Sequence, residues 1–381
     1  VEIVGIFRAM PVRVNRFQST MRAVFRSYID VVSITYIQEN KVVIDSESSW
    51  DREKIQFSAK EVEEFRELAA SPQIYDALSH ALAPSIWELE DVKKGLLCQL
   101  FGGTSKGFDP AFKSRFRNEL NVLLVGDPST AKSQLLQAVH KVAPRGVYTS
   151  GKGSSAVGLT AYISTDPETK ELVLESGALV LSDMGICCID EFDKMNEGTS
   201  GILHEAMEQQ TISIAKAGIV CSLNARTAAL AAAHPKESRY NPKRSIVYNL
   251  RLPPSILSRF DLIYLMLDKV SDQADSKLAQ HILALYSPSP PMPQHKTISQ
   301  NFLTKYLSYA RINCSPTLTP DACKEAVNGY IEMRKQGFSR NTITATPRQL
   351  ESILRIAESL AKMRLSSEVI CQDVNEAIRL V

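Results

Sequence analysis

"GDPSTAKS", Gly126 to Ser133, comes within one residue of a phosphate-binding loop. The pattern G-x-x-x-x-G-K-[ST] asks for a second glycine just before its lysine, and that slot here holds Ala131. Glycine is favoured where φ is positive or a side chain would clash. The slot also opens the following helix, so a single methyl is expected to be tolerated. The flanks support the loop: "LNVLLVGDPSTAKSQLLQAVHKVA" reads as a buried strand, a short turn and an amphipathic helix. In that setting the backbone of Gly126, Asp127, Pro128, Ser129, Thr130 and Ala131, with the helix N-terminus, offers partial positive charge to phosphates. Lys132 would reach the β- and γ-phosphates of ATP, and the Ser133 hydroxyl would bind Mg²⁺.

About sixty residues on, "ALVLSDMGICCIDEFDKM" supplies a second element. "GICCID" is an apolar strand that ends in Asp190 and Glu191. Residues at the C-terminal end of a parallel strand line the ligand crevice. Asp190 would hold Mg²⁺ through water, and Glu191 would polarise the attacking water. "DEFDKM" also resembles a helix N-terminus with capping carboxylates, and the two readings are compatible. Two such motifs, in order on successive buried strands, point to a nucleotide site.

The chain has 381 residues, enough for two or three domains, with 44% hydrophobic and 23% charged residues. No apolar run is long enough to span a membrane. A net charge of +2 leaves any nucleic-acid contact to local patches. The seven scattered cysteines include no C-x-x-C pair, which fits reduced thiols in a cytosolic or nuclear protein. Val1 falls inside a strand-like run and Val381 inside a helical one, so both ends read as cuts in a longer polypeptide.

Residues 1–45 alternate in a β-like way and carry Arg8, Arg13, Arg16, Arg22 and Arg26 with Phe7, Phe17 and Phe25 between them. This suits the C-terminal part of an OB-type domain that binds single strands, and equally a small β-domain with solvent-facing arginines. Residues 46–74 are expected to link it to an α/β core over 75–286, built on a parallel sheet. Helical periodicity begins after an N-cap at Ser58. A proline-rich linker, 287–296, leads to a helical domain over 297–381. Within the core, "TISIAKAGIVCSL" reads as a hairpin with Lys216 at its tip, and "LTAYISTDPETKELVLESGALVL" as a longer one.

"GDPSTAKSQLL", "GKGSSAVGLTA", "CCIDEFDKM", "QQTISIAKAGI" and "LSRFDL" together resemble the minichromosome maintenance (MCM) replicative helicases, a branch of the AAA+ ATPases. "ALAPSIWELEDVKKGLLCQLFGGT" and "CCIDEFDKMNE" are most similar to the eukaryotic subunit-four type. Alanine or serine often fills the Ala131 slot in this family. The resemblance implies an AAA+ core with a helical lid, ATP with Mg²⁺ between subunits, and a hetero-hexameric ring of paralogous MCM subunits. It implies contact with single- and double-stranded DNA in the nucleus. It also makes Arg259 an arginine finger and Arg348 the sensor-two residue, with Glu351 one turn later, all acting on a neighbour's nucleotide. Both hairpins would project into the ring's channel, where Lys216 would meet DNA phosphates.

One position departs from the family pattern: the sensor-one strand ends in His234 where asparagine is usual, which leaves hydrolysis less assured than binding. Trp87 falls where relatives place an aromatic beside the base, with core packing as the alternative; Lys113 is a further candidate, and Asn224 reads as structural. Read bare, Arg259 could simply pair with Asp261. Two functions follow from the resemblance: a hydrolysing helicase subunit, or a structural subunit that binds ATP and donates its arginines to a neighbour.

Overall fold

The computed structural model describes residues 2–15, 18–35, 57–104, 117–153, 156–165, 172–216, 219–237, 240–241, 244, 246–250, 252–268, 271–286, 298–336 and 346–381. The proline-rich segment 287–296, Lys113 and the side chain of Lys216 lie outside the described residues.

The chain divides into two compact units, Val1–Val42 and Val43–Val381. In the first, strands Glu2–Asn15 and Gln18–Thr35 pair antiparallel, with Arg8 opposite Tyr28 and a register shift between Val4 and Gly5. Of the OB-type domain expected over residues 1–45, this ribbon is the described part. Arg8 meets Asp30 at 2.7 Å on an exposed face, where an ion pair adds little.

The second unit is built on five parallel strands: β1 (Val122–Gly126), β2 (Gly146–Ser150), β3 (Ile186–Asp190), β4 (Ala228–Ala233) and β5 (Leu262–Met266). Their spatial order is β5-β1-β4-β3-β2. "VLLVG", "ICCID" and "AALAAA" are buried throughout, as strands covered on both faces must be. The period of two divides their side chains between two cores. Val122, Leu124, Ile186, Cys188, Leu230 and Ala232 face one; Leu123, Val125, Cys187, Ile189, Ala229 and Ala231 face the other. Burial pushes the Cys187 thiol up to about 12, so it stays protonated and behaves as a small hydrophobe.

The first core also contains the N-terminal helices and the C-terminal helical domain. Helix Ala59–Ala69, within the segment expected as a linker, buries Phe65 edge-on to Phe302 and Tyr306 at centroid distances of 5.1 and 5.6 Å. Its N-cap backbone N–H, on Ser58, donates to Glu61 Oε2 at 3.0 Å. Helices Gln300–Asn313, Pro320–Gln336, Pro347–Met363 and Cys371–Leu380 make up the C-terminal domain. A detail the helical reading omitted is a two-residue parallel pairing of Thr317–Leu318 with Glu368–Val369. The second core lies under helix Glu197–Gln209 and the hairpin Thr211–Lys216/Ile219–Asn224. The other expected hairpin pairs Ala161–Thr165 with Leu172–Ser176.

Where the helical domain meets the core, Lys362 is buried and donates to the Gly103 carbonyl at 2.6 Å. Burial, aided by Arg311, pushes its ammonium down to about 8. The folded chain therefore holds fewer protons than the unfolded one between about pH 8 and the ordinary lysine value. This group adds stability as pH rises through that window. Lys362→Met should flatten the chain's stability–pH curve above about pH 8 relative to wild type, measured by urea titration at several pH values.

Candidate nucleotide site

β1 ends at Gly126, where nothing larger fits: a Cβ there would fall 2.1 Å from the Met266 carbonyl oxygen on β5. Pro128 and Ser129 make the turn that follows. Asp127 fastens it from outside, with Oδ1 accepting from Tyr240 N at 2.9 Å and Oδ2 from Asp268 N at 3.3 Å. Inside the loop the Thr130 hydroxyl donates to the Asp127 carbonyl at 2.8 Å. Ser129 and Ala131 adopt φ of 69° and 59°, and Ala131 caps helix Lys132–Val142. The tolerated methyl thus sits in left-handed backbone, which is the physical reason the pattern asks for glycine.

Lys132 is buried, and its ammonium curls back to the carbonyls of Gly126 and Asp127 at 2.8 and 2.6 Å. Burial pulls its pKa down, against the pull of Asp127 and Asp190. On β3, burial pushes the Asp190 carboxyl up. The Ser133 hydroxyl, the Tyr148 hydroxyl at 2.9 Å, the Glu191 N–H at 2.8 Å and the nearby His234 ring outweigh that and hold it below the usual range. Ser133, at the start of the loop helix, thus bears on the β3 carboxylate. Glu191 has φ of 51° and opens the short turn Phe192–Lys194; its carboxylate pairs with Lys194 at 2.6 Å. His234 leaves β4, the strand between β1 and β3, and its N–H donates to Asp193 Oδ1 at 3.0 Å. It emerges between the two motifs.

Beside the loop lies a cleft of about 1300 Å³, lined by Trp87, Ser129, Thr130, Ala131, Leu278 and His281 among others. The half-buried Trp87 ring lies 5.0 Å from His281, tilted by 40°. Glu88 and Leu89, which follow it, both take left-handed φ, 53° and 58°. Trp87 therefore both packs and lines the cleft next to the loop.

The remaining expected residues form a second group. Arg259 Nη2 reaches Glu208 Oε2 at 2.5 Å, and Arg348 Nη2 reaches Glu208 Oε1 at 2.8 Å. The simple alternative for Arg259, pairing with Asp261, is not adopted. Glu351 pairs with Arg355 at 2.5 Å. Glu208 lies in the last turn of helix Glu197–Gln209, and its hydrogen bond from Arg259, reinforced by Arg348, holds its carboxyl below the usual range. Sequence reading passed over it, because one glutamate in "MEQQ" shows nothing until the fold brings two arginines to it.

A family model described as the MCM P-loop domain matches residues 61–286, and one described as the MCM AAA-lid domain matches residues 301–381. The chain belongs to the MCM family. It is 54% identical over its whole length to DNA replication licensing factor MCM4 of Arabidopsis thaliana, covering 46% of that protein. Against mcm4 of Xenopus tropicalis it is 52% identical, again over its whole length and 44% of the relative. With mcm7 of Schizosaccharomyces pombe it shares 47% over 83% of this chain and 42% of the relative. The chain thus spans less than half the length of the curated relatives it matches.

The MCM P-loop domain is a nucleotide-binding fold, and the residues fit ATP with Mg²⁺. Among the described residues, no group of three or more His, Cys, Asp or Glu could hold a metal alone. A cation here would take Ser133 and Asp190 as a partial donor set, completed by phosphate oxygens and water. Ala131→Gly would remove the left-handed strain at the MCM loop. It should raise unfolding stability by about 1 kcal/mol, read as a shifted urea midpoint at unchanged slope.

Proposed function

We propose that this chain is the motor part of an ATP-dependent DNA helicase subunit, which works in a hetero-hexameric ring of paralogous MCM subunits during chromosome replication in the nucleus. One observation carries the reading. Ser129, Thr130 and Ala131 of the loop line one cleft and Lys132 curls back onto the same loop, while Arg259 and Arg348 gather on Glu208, and none of the contacts described for either arginine is with the loop. One copy thus holds two half-sites, and a neighbour is needed to join them.

ATP with Mg²⁺ supplies the transferable γ-phosphoryl group and the cation that screens it. Lys132 turns from its own carbonyls to the β- and γ-phosphates, and the backbone from Asp127 to Ala131 wraps them. Ser133 and Asp190 would hold the cation. Glu191, released from Lys194, orients the attacking water, and His234 can donate a hydrogen bond in the role asparagine usually fills. Trp87 offers its ring to the base. From the neighbouring subunit, counterparts of Arg259 and Arg348, with Glu351 beside them, neutralise charge that develops on the phosphoryl oxygens. Hydrolysis would move the hairpin that bears Lys216 along a DNA strand through phosphate contacts, which are sequence-independent and salt-sensitive. Among the described residues no helix is long and apolar enough to cross a membrane, and a membrane partner forms no part of the reading.

The alternative, a structural subunit that binds ATP and only donates arginines, is not favoured, because Lys132, Ser133, Asp190 and Glu191 are all present. The test is ATPase activity of the purified protein alone, with paralogous MCM subunits, and with Lys132→Ala in place of wild type. Activity that appears only on mixing and falls with Lys132→Ala supports a hydrolysing subunit. Activity indifferent to Lys132→Ala would move the chain to the structural alternative.

A further inference from the structure

Asp261 stands two residues after Arg259, just before β5, and its side chain is only 2% exposed. It accepts from Arg117 Nη2 at 2.7 Å to each oxygen, from Asn121 N at 2.7 Å, from Ser352 Oγ at 2.5 Å and from Arg355 Nη1 at 2.5 Å. Arg117 and Asn121 belong to the core beside β1, whereas Ser352 and Arg355 lie on helix Pro347–Met363, whose first turn carries Arg348.

The same donors grip the backbone of both arginines. Arg117 Nη1 and Asn121 Nδ2 donate to the Arg259 carbonyl at 3.4 and 3.3 Å. Ser352 Oγ lies 2.8 Å from the Arg348 carbonyl as well as 2.5 Å from Asp261, so its one proton is shared between them. Arg355 continues to Glu351 at 2.5 Å. A buried carboxylate so fully engaged allows few alternative arrangements of its partners.

We propose that Asp261 is a positioning residue that locks the Arg259 turn and the Arg348 helix into one rigid unit, presenting both guanidiniums to a neighbour's nucleotide in fixed register. The inference rests on the reading of Arg259 and Arg348 as residues that act across the subunit boundary. The hub joins the core to the helical domain at the point where these side chains leave it, so loosening it misplaces both while leaving the chain's own loop intact. Small misplacements of groups that must meet a transition state cost rate rather than binding.

The test uses the full-length protein assembled with paralogous MCM subunits, in a background of Lys132→Ala so that its own pocket is silent and the neighbour's ATPase is read. Ser352→Ala and Arg355→Lys should each lower kcat about tenfold at unchanged KM for ATP, with assembly preserved and the fold retained at the assay temperature, checked by the thermal midpoint. Asp261→Asn should do more, but it leaves Arg117 and Arg355 facing each other and can compromise folding, so the milder pair carries the test. Ser352→Ala should cost less in an Arg348→Ala background than in wild type, because part of its effect acts through that residue and only the Arg259 part remains. Equal losses in both backgrounds, or unchanged kcat in both milder variants while Arg259→Ala abolishes activity, would overturn the hub alone. Activity unmoved by Arg259→Ala would remove the reading on which the hub rests.

Discussion

Arg259→Ala is expected to lower the steady-state ATPase of the assembled ring by about a thousandfold at each interface it faces, leaving ATP binding in the chain's own cleft unchanged. That is about 4 kcal/mol of lost transition-state stabilisation. The separation follows from geometry: Arg259 contacts Glu208 and the Ser255 carbonyl, whereas the loop is held by Lys132, Thr130 and Asp127. A fluorescent nucleotide titration gives the binding arm, and phosphate release from mixed assemblies gives the catalytic arm. Reduced nucleotide affinity in the isolated variant would instead mean that Arg259 serves its own pocket. Arg348→Ala, on the same carboxylate, should reproduce the phenotype at smaller amplitude, since its guanidinium is the more exposed of the two.

Gly126→Ala should be the most damaging single methyl in the loop. The added carbon would lie 2.1 Å from the Met266 carbonyl oxygen and 2.9 Å from its carbonyl carbon, both backbone atoms of the paired strand β5. No flexible side chain can yield there, so β5 must move away from β1. Overpacking of this kind costs about 3 kcal/mol, and it also displaces the Asp127 N–H, which donates to Met266 O at 3.1 Å. Chemical denaturation should show the loss, and nucleotide affinity should fall with it. Gly153→Ala is the control: nothing lies within 4 Å of a Cβ there, so stability should stay within about 0.5 kcal/mol of wild type. Equal effects from the two substitutions would mean that the strand contact is not what selects glycine at Gly126.

The sequence made the sheet legible because strands buried on both faces must read as short apolar runs, and it made the loop legible because phosphate binding needs fixed chemistry at fixed spacing. Lys132 lies against Gly126 at the end of β1, and Asp190 ends the strand two places away in the sheet. The ionic contacts between distant segments were out of reach. Glu208 meets Arg259 across 51 positions and Arg348 across 140, and Asp261 meets Arg355 across 94; such pairs have no local pattern. Tyr148 was missed for the same reason, since its hydroxyl reaches Asp190 only because β2 and β3 are neighbours. The backbone of Ala131 was half legible: the motif pointed to the position, but the left-handed φ that explains the glycine preference is visible only in three dimensions.

β4 is alanine at five of its six positions, and all six are buried. Methyl groups set how closely layers can approach on either side of a sheet, and here that clearance belongs to the strand lying between β1 and β3. Helix Lys132–Val142, which starts with the loop lysine, rests on this strand. The middle of the sheet therefore works as a spacer of fixed thickness. A valine or leucine at Ala232, which faces the same core as that helix, would lift it and, with it, Lys132 and Ser133 away from Asp190, so a change at a site that touches no ligand would be felt as a loss of nucleotide affinity. The blandest stretch of the sequence is, on this view, among the least permissive to variation.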